Sequence, residues 1–194
     1  MHCSVQNSFY LRNLVLIFFM AVLVSVVKAQ STPETIRQID EVYNLVQLNI
    51  ERQAYLQNEF KINAERFSLH QPGYFQHFEL YHYAIDRRPG AAQKPLLKAV
   101  FIRTDKEDTQ HLKEYIFDND GNCVVYGEKE ITANLTQGEA RIYLHEGKII
   151  RWLQENVVQA QGTTEAQHKL QEIQALVQKY QDRFQKQISV VQFP

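Results

Sequence analysis

Residues 141–152, RIYLHEGKIIRW, contain two β-strand patterns on either side of a Glu-Gly pair. Ile142 and Leu144 alternate with other residues before this pair, and Ile150 and Trp152 continue the alternation after it. A period of two predicts a strand, and a short link that contains glycine predicts a β-hairpin. This stretch therefore predicts an antiparallel sheet.

The same pattern extends towards the N-terminus. Residues 118–122, DNDGN, form a second hairpin turn by composition, and the runs around the two turns are rich in aromatic and β-branched residues. Because a hairpin joins neighbouring strands, we expect an antiparallel meander of five or six strands within residues 74–153. The six runs are Tyr74–Ile85, Leu96–Arg103, Leu112–Asp118, Cys123–Lys129, Arg141–His145 and Lys148–Leu153.

Two helical patterns flank this predicted sheet. Apolar residues recur every three or four positions in residues 34–67 and again in residues 163–187. The first helix would be about 50 Å long, so we expect it to overhang the domain or to break, with a bend near Gln53. The helices could cover the sheet, pair with each other or form a dimer seam. We expect an α+β fold with the C-terminal helix packed on one sheet face.

The first 29 residues have the pattern of a secretory signal peptide. Arg12 precedes an apolar run from Leu14 to Val27, and Ala29 is a small residue suited to a cleavage site. The run would form roughly 21 Å of helix, which is shorter than the hydrocarbon core of about 30 Å. We expect cleavage and export to the periplasm or the medium, with a retained N-terminal anchor as the alternative. Residues 30–194 would then form a single domain without a membrane span.

Charge and cysteine content exclude several classes of protein. The full chain has a formal net charge of −1, and removal of residues 1–29 would make it −3. No cluster of basic residues indicates nucleic-acid binding. Cys123 would be the single remaining cysteine, which excludes an internal disulfide framework. We interpret it as a small apolar residue in a strand, and an intermolecular bridge or a nucleophile is the alternative.

Residues 114–121, EYIFDNDG, and residues 141–152 form a pair of aromatic-rich hairpins. This pair resembles the hairpins of small exported bacterial α+β proteins of unknown function. The resemblance covers residues 96–153. It implies an exported α+β fold and supplies no activity.

His77, Glu79 and His82 are the candidate catalytic or metal-binding residues of the chain. On a strand, His77 and Glu79 share one face and His82 lies on the other. The first two could act with His111 or His145 as a metal site or a proton shuttle. The alternative to a binding protein is therefore a small hydrolase or metal-dependent enzyme that uses His77 and Glu79.

We predict neither a metal site nor a cofactor. Asp118, Asp120 and Asn122 have the spacing that begins a calcium loop, but Cys123 and Lys129 occupy positions where that loop needs glycine and glutamate. No phosphate-binding glycine loop, dinucleotide motif, Cys-x-x-Cys pair or nucleophile elbow is present in the sequence. These absences favour a protein that is not an enzyme.

Arg141, Tyr143 and Arg151 are the candidate binding residues. On one exposed sheet face they would form a platform of cations and an aromatic ring for a protein, a peptide or a glycan. Our leading hypothesis is an exported binding or interaction module of the cell envelope. A structural envelope protein that forms a homodimer through its helices is a further alternative.

Overall fold

A computed structural model describes residues 33–63, 75–86, 94–133 and 135–189. The chain divides into two compact units, Met1–Gln38 and Ile39–Pro194. The predicted signal peptide, residues 1–29, lies outside the described residues. Its cleavage and the export that it implies therefore stay predictions.

Residues 33–38 are the described part of the first unit, and they begin helix α1, residues 33–51. Arg37 Nη2 lies 2.6 Å from Glu34 Oε1 on the exposed surface. This hydrogen bond is the main cause that lowers the pKa of Glu34. An ionised acid in the first turn also complements the positive end of the helix dipole.

The second unit contains an eight-stranded antiparallel sheet in which every strand pairs with its neighbours in sequence. The α+β class, the antiparallel sheet and the C-terminal helix are confirmed, whereas the predicted number of five or six strands is wrong. The six predicted runs correspond to strands β2 to β7, and the added strands are β1 and the two-residue β8. The bounds are β1 Leu56–Ile62, β2 Phe75–Ile85, β3 Pro95–Lys106, β4 Thr109–Phe117, β5 Cys123–Thr132, β6 Leu135–His145, β7 Lys148–Gln154 and β8 Val157–Val158.

The predicted helix over residues 34–67 is wrong in its second half. Helix α1 ends at residue 51, and Gln53 has a φ of 55°, in the left-handed region that ends helices. Strand β1 follows. Leu56 and Phe60 are four apart, so they fit both a helix face and one face of a strand. Pairing of β1 with β2 along seven residues decides between the two; residues 64–67 lie outside the described part.

Helix α2, Thr164–Ile188, packs on one face of the sheet, as predicted. Its N-cap residue is Thr163, whose side chain accepts a hydrogen bond of 3.1 Å from the Ala166 N–H. Large aromatic residues alternate along the strands beneath it and form the core. The main sheet residues of this core are Tyr81, Tyr115, Tyr126, Ile142 and Trp152, and those of the helix are Ala166, Ile173, Tyr180, Phe184 and Ile188.

The other face of the sheet contacts residues of α1 that belong to the second unit. Ile39 and Val46 are buried there, and Asp40 accepts a hydrogen bond of 2.9 Å from the Tyr143 hydroxyl. Ile142 belongs to the core under α2, and adjacent residues of a strand point to opposite faces. The two helices therefore cover opposite faces, and the described segments do not pair. In the described part of the chain, neither helix is long and apolar enough to cross a membrane.

Candidate ligand-binding site

The sheet face that α1 covers in part contains a half-open cavity of about 610 Å³. Two adjacent rows of residues cross the strands at its floor, and the strand register sets them. The first row runs from β1 to β6 through Glu59, Leu80, Phe101, Glu114, Gly127 and Arg141. The second runs from β1 to β5 through Lys61, Phe78, Arg103, Leu112 and Lys129.

The centre of the floor is apolar. Phe78, Leu80, Phe101 and Leu112 all line the cavity and are only partly buried. They share a face because strand residues two apart point the same way and the strands are in register. Apolar side chains that are left partly uncovered inside a concave surface are typical of small-molecule sites.

A polar cluster of Tyr43, Glu114 and Arg141 closes one end of the floor. Arg141 Nη2 donates a hydrogen bond of 3.1 Å to the Tyr43 hydroxyl and lies 3.5 Å from Glu114 Oε1. The guanidinium carbon also lies 4.7 Å from the centre of the Tyr43 ring. The cation is therefore held between an aromatic ring of α1 and a carboxylate of β4.

Gly127 makes the contact between Glu114 and Arg141 possible. It lies between these two residues in the first row, on the intervening strand β5. A Cβ atom at this position would be only 2.6 Å from both Cγ and Oε1 of Glu114. A glycine in a strand interior often marks such a close approach. Its missing side chain lets the Glu114 carboxylate reach across β5 towards Arg141.

The surroundings of Glu114 disfavour its ionised form. Burial is the largest effect and raises the pKa of Glu114, and the charge of Glu139 adds to it. Arg141 and Lys129 oppose this rise without cancelling it. Burial also raises the pKa of Tyr43, so its hydroxyl stays protonated at neutral pH. Glu114 is thus a carboxyl group that gains a proton more readily than an exposed one.

Arg141, Tyr143 and Arg151 share one sheet face, but the structure does not make them an exposed platform. Tyr143 is only 5% exposed because α1 covers it, and its hydroxyl donates a hydrogen bond to Asp40. The Arg151 guanidinium lies 5.7 Å from the Tyr143 ring and does not line the cavity. Of the three predicted binding residues, Arg141 alone reaches the cavity.

The predicted catalytic pair His77 and Glu79 lies on the α2 side of the sheet, away from the cavity floor. His77 Nε2 is 2.9 Å from Glu79 Oε1, and His77 Nδ1 is 2.8 Å from Thr104 Oγ1. Glu79 is fully buried and accepts further hydrogen bonds from Tyr81 and Arg183. Burial raises the pKa of Glu79, but these hydrogen bonds outweigh it and lower the pKa overall.

This arrangement makes Glu79 an anchor for α2 and leaves its oxygens occupied by Arg183, His77 and Tyr81. The other histidines considered with it lie elsewhere: His111 contacts Glu130 and His145 contacts Glu146. Within the described residues, no group of three or more His, Cys, Asp or Glu side chains is placed to hold a metal ion. The geometry gives the enzyme hypothesis no support.

The turn with calcium-loop spacing is closed by its own hydrogen bonds. Asp118 Oδ1 accepts the backbone N–H groups of Asp120 and Asn122 at 2.9 and 2.8 Å. This is an Asx turn, in which the carboxylate serves the backbone. The next residue, Cys123, is partly exposed by residue surface, and burial of its thiol raises its pKa to about 12. Such a thiol is unreactive at neutral pH.

Neither the cavity nor its polar end was predicted from the sequence. Gly127 inside an apolar strand was a usable signal, since glycine in a strand indicates close approach of another group. Apolar residues on both faces of β2, such as Leu80 beside Tyr81, were a second signal, because they indicate a sheet that is covered on both sides.

No protein-family model matches the chain. No curated protein and no solved structure matches it either. The resemblance to small exported bacterial proteins therefore stays a prediction, and the function has to be inferred from the geometry of the cavity.

Proposed function

We propose that this protein is an exported, non-enzymatic binding protein whose cavity holds a small ligand with an apolar body and a polar end. The observation that carries the proposal is the cavity of about 610 Å³ with its apolar floor and its polar cluster at one end. Small-molecule sites commonly have volumes of about 300–1,000 Å³ and combine apolar walls with a few fixed polar groups.

The chemistry of the lining supports binding over catalysis. Among the described residues that line the cavity there is no serine, threonine, cysteine or histidine. These are the side chains that most often act as nucleophiles or as general bases near neutral pH. Glu114 and Arg141 are held by each other and by Tyr43, an arrangement that suits recognition of a polar group.

The size of the cavity favours a small molecule over a whole protein surface. A stable protein interface buries about 800 Å² on each partner, more than the floor of a pocket of this kind offers. A side chain of a peptide or a single sugar of a glycan would fit the same space. We expect the encounter outside the cytoplasm, because residues 1–29 have the pattern of a signal peptide.

A neutral fluorescent probe, N-phenyl-1-naphthylamine, tests the proposal, because its emission rises when it leaves water for an apolar site. We expect saturable binding to the purified protein. Leu112→Glu replaces an apolar side chain of the floor with a hydrated, charged one and should weaken binding of this neutral probe about tenfold or more, because the bound probe would have to displace water from the carboxylate. Leu135→Glu is the matched control, since Leu135 is 65% exposed and does not line the cavity.

Two outcomes would overturn the proposal. One is the absence of saturable probe binding to the unmodified protein. The other is equal binding by the Leu112→Glu and Leu135→Glu variants, which would place the probe somewhere other than the cavity. Circular dichroism of both variants establishes that each one is folded.

A further inference from the structure

We propose that the cavity selects amphipathic organic anions, whose single oxyanion head is bound by Arg141 and Lys129 while the apolar body lies on the floor. This inference rests on the proposed function and specifies the ligand class. It is drawn from the balance between hydrogen-bond donors and acceptors around the cavity.

Basic side chains on the cavity face have more hydrogen-bond donors than their described contacts use. Lys129 forms no ion pair with any described residue. Arg141 contacts Tyr43 and Glu114 through Nη2 and also interacts with Tyr143, and a guanidinium has five N–H donors in all. Arg103 Nε is buried and lacks a hydrogen-bond partner in the described part, although it lies 3.2 Å from Asp105 Oδ2. Guanidinium and ammonium groups only donate, so a ligand group that only accepts would complete the site.

The acidic side chains of the cavity oppose the binding of an anion less than their number suggests. Glu59 is engaged by Lys61 at 2.8 Å, and Glu139 is exposed at the rim. Glu114 is the acid that lies beside the apolar floor and contacts Arg141. At 3.5 Å this contact is longer than a good charge-assisted hydrogen bond, so an incoming oxyanion could form a better one with Arg141.

Glu114 makes this exchange dependent on pH. While ionised, it repels an anionic head and retains Arg141. Once protonated, Glu114 neither repels the head nor retains Arg141, and it can donate a hydrogen bond to the head. Tyr43 and Arg141 both have raised pKa values, so neither changes its charge between pH 5 and pH 8. The charged and titratable groups that line the cavity with Glu114 are Tyr43 of α1, Glu59 and Lys61 of β1, Arg103 of β3, Lys113 of β4, Glu128 and Lys129 of β5, and Glu139 and Arg141 of β6.

Three probes with the same ten-carbon chain test the ligand class by isothermal titration calorimetry. Decanesulfonate keeps a negative charge at every pH used, decyltrimethylammonium keeps a positive charge, and decanol is neutral. We expect decanesulfonate to bind about tenfold or more tightly than either of the others. If no probe binds, the proposed function fails. If all three probes bind equally, the proposed function is supported and the proposed selectivity for anions is wrong.

Substitutions test whether Arg141 and Lys129 bind the anionic head. Arg141→Met should bring the affinity for decanesulfonate close to that for decanol. Arg151→Met is the matched control, because Arg151 lies on the same sheet face without lining the cavity. Lys129→Met gives a second test at an exposed position, where misfolding is not a concern. Unchanged selectivity in both Arg141→Met and Lys129→Met would overturn the proposed head site.

The pH dependence of the affinity for decanesulfonate tests the role of Glu114. The affinity of the unmodified protein for decanesulfonate should rise as the pH is lowered from 8 towards the raised pKa of Glu114. Glu114→Gln mimics the protonated acid, so it should bind decanesulfonate tightly at every pH in this range. A pH dependence that is the same in the protein and in Glu114→Gln would contradict the assignment to Glu114.

Discussion

Gly127 shows how a single residue shapes the cavity. Its neighbours in the register row are Glu114 and Arg141, and a side chain on Gly127 would occupy the space of the Glu114 carboxylate. The polar end of the site therefore depends on a residue that contributes no functional group.

We predict that Gly127→Ala destabilises the protein by about 1–3 kcal/mol, because the new methyl group lies 2.6 Å from Glu114 Cγ. The measurement is urea unfolding followed by tryptophan fluorescence and circular dichroism. In a Glu114→Ala background the clash is removed, so the same substitution should cost much less. Equal costs in the two backgrounds would mean that the strain does not arise from Glu114.

At the scale of elements, α2 is attached to the sheet by a charge pair as well as by its aromatic face. Arg183 of α2 donates to Glu79 of β2, which is fully buried, and the Arg183 guanidinium carbon lies 4.6 Å from the centre of the Phe60 ring on β1. The pair thus connects the helix to the first two strands. Glu79, one of the two residues predicted as catalytic, forms this link between α2 and the sheet.

We predict that Arg183→Met destabilises the protein by about 1–3 kcal/mol, since Glu79 would stay buried without its cation. The loss is limited because His77 and Tyr81 still donate to Glu79. Lys61→Met is the control, because its pair with Glu59 is exposed and should be worth less than about 1 kcal/mol. Similar losses in the two variants, measured by urea unfolding, would argue against an anchor at Arg183.

Strands β2 to β7 could be predicted because their hairpin turns and alternation are local signals. Two-residue turns such as Glu146-Gly147 determine register without distant contacts. Strand β1 could not be predicted, since Leu56 and Phe60 fit a helix as well as a strand. Only the pairing with β2 decides between these two structures. In residues 56–62 the local sequence pattern favours a helix, whereas pairing with β2 produces a strand.

The candidate site was less predictable than the fold. That Arg141, Tyr143 and Arg151 share a face follows from the period of two, and the structure agrees. Which part of the face is covered depends on the position of α1, and contacts such as Asp40 with Tyr143 join residues that are far apart in sequence. No local signal of the sequence reports such a contact.

At the scale of the whole molecule, both faces of the sheet are covered in part, and polar residues are buried on each. His82 is 2% exposed, packs edge-on against Phe101 at 5.6 Å, and its Nδ1 has no hydrogen-bond partner in the described part. Burial lowers the pKa of His82 from its usual value of 6.5. The folded protein therefore resists protonation that the unfolded chain accepts.

We predict that this histidine makes the protein less stable in mild acid. Above pH 6.5 His82 is neutral in both states, and below it the unfolded chain binds the extra proton, so stability falls as the pH drops. The slope from one such group is at most about 1.4 kcal/mol per pH unit. His82→Phe should flatten the dependence between pH 6.5 and pH 5 in urea unfolding, whereas exposed His145→Gln should not. Parallel curves for the protein and His82→Phe would exclude His82 as the cause.

The order of the strands has a consequence for how the chain folds. Each strand of the meander pairs with its neighbours in sequence, so the sheet can form progressively while the chain emerges from the ribosome. The contacts Asp40 with Tyr143 and Glu79 with Arg183 each span more than 100 residues. The helices therefore complete their contacts only after β6 and α2 have been released, and the sheet spends the interval with apolar residues exposed on both faces.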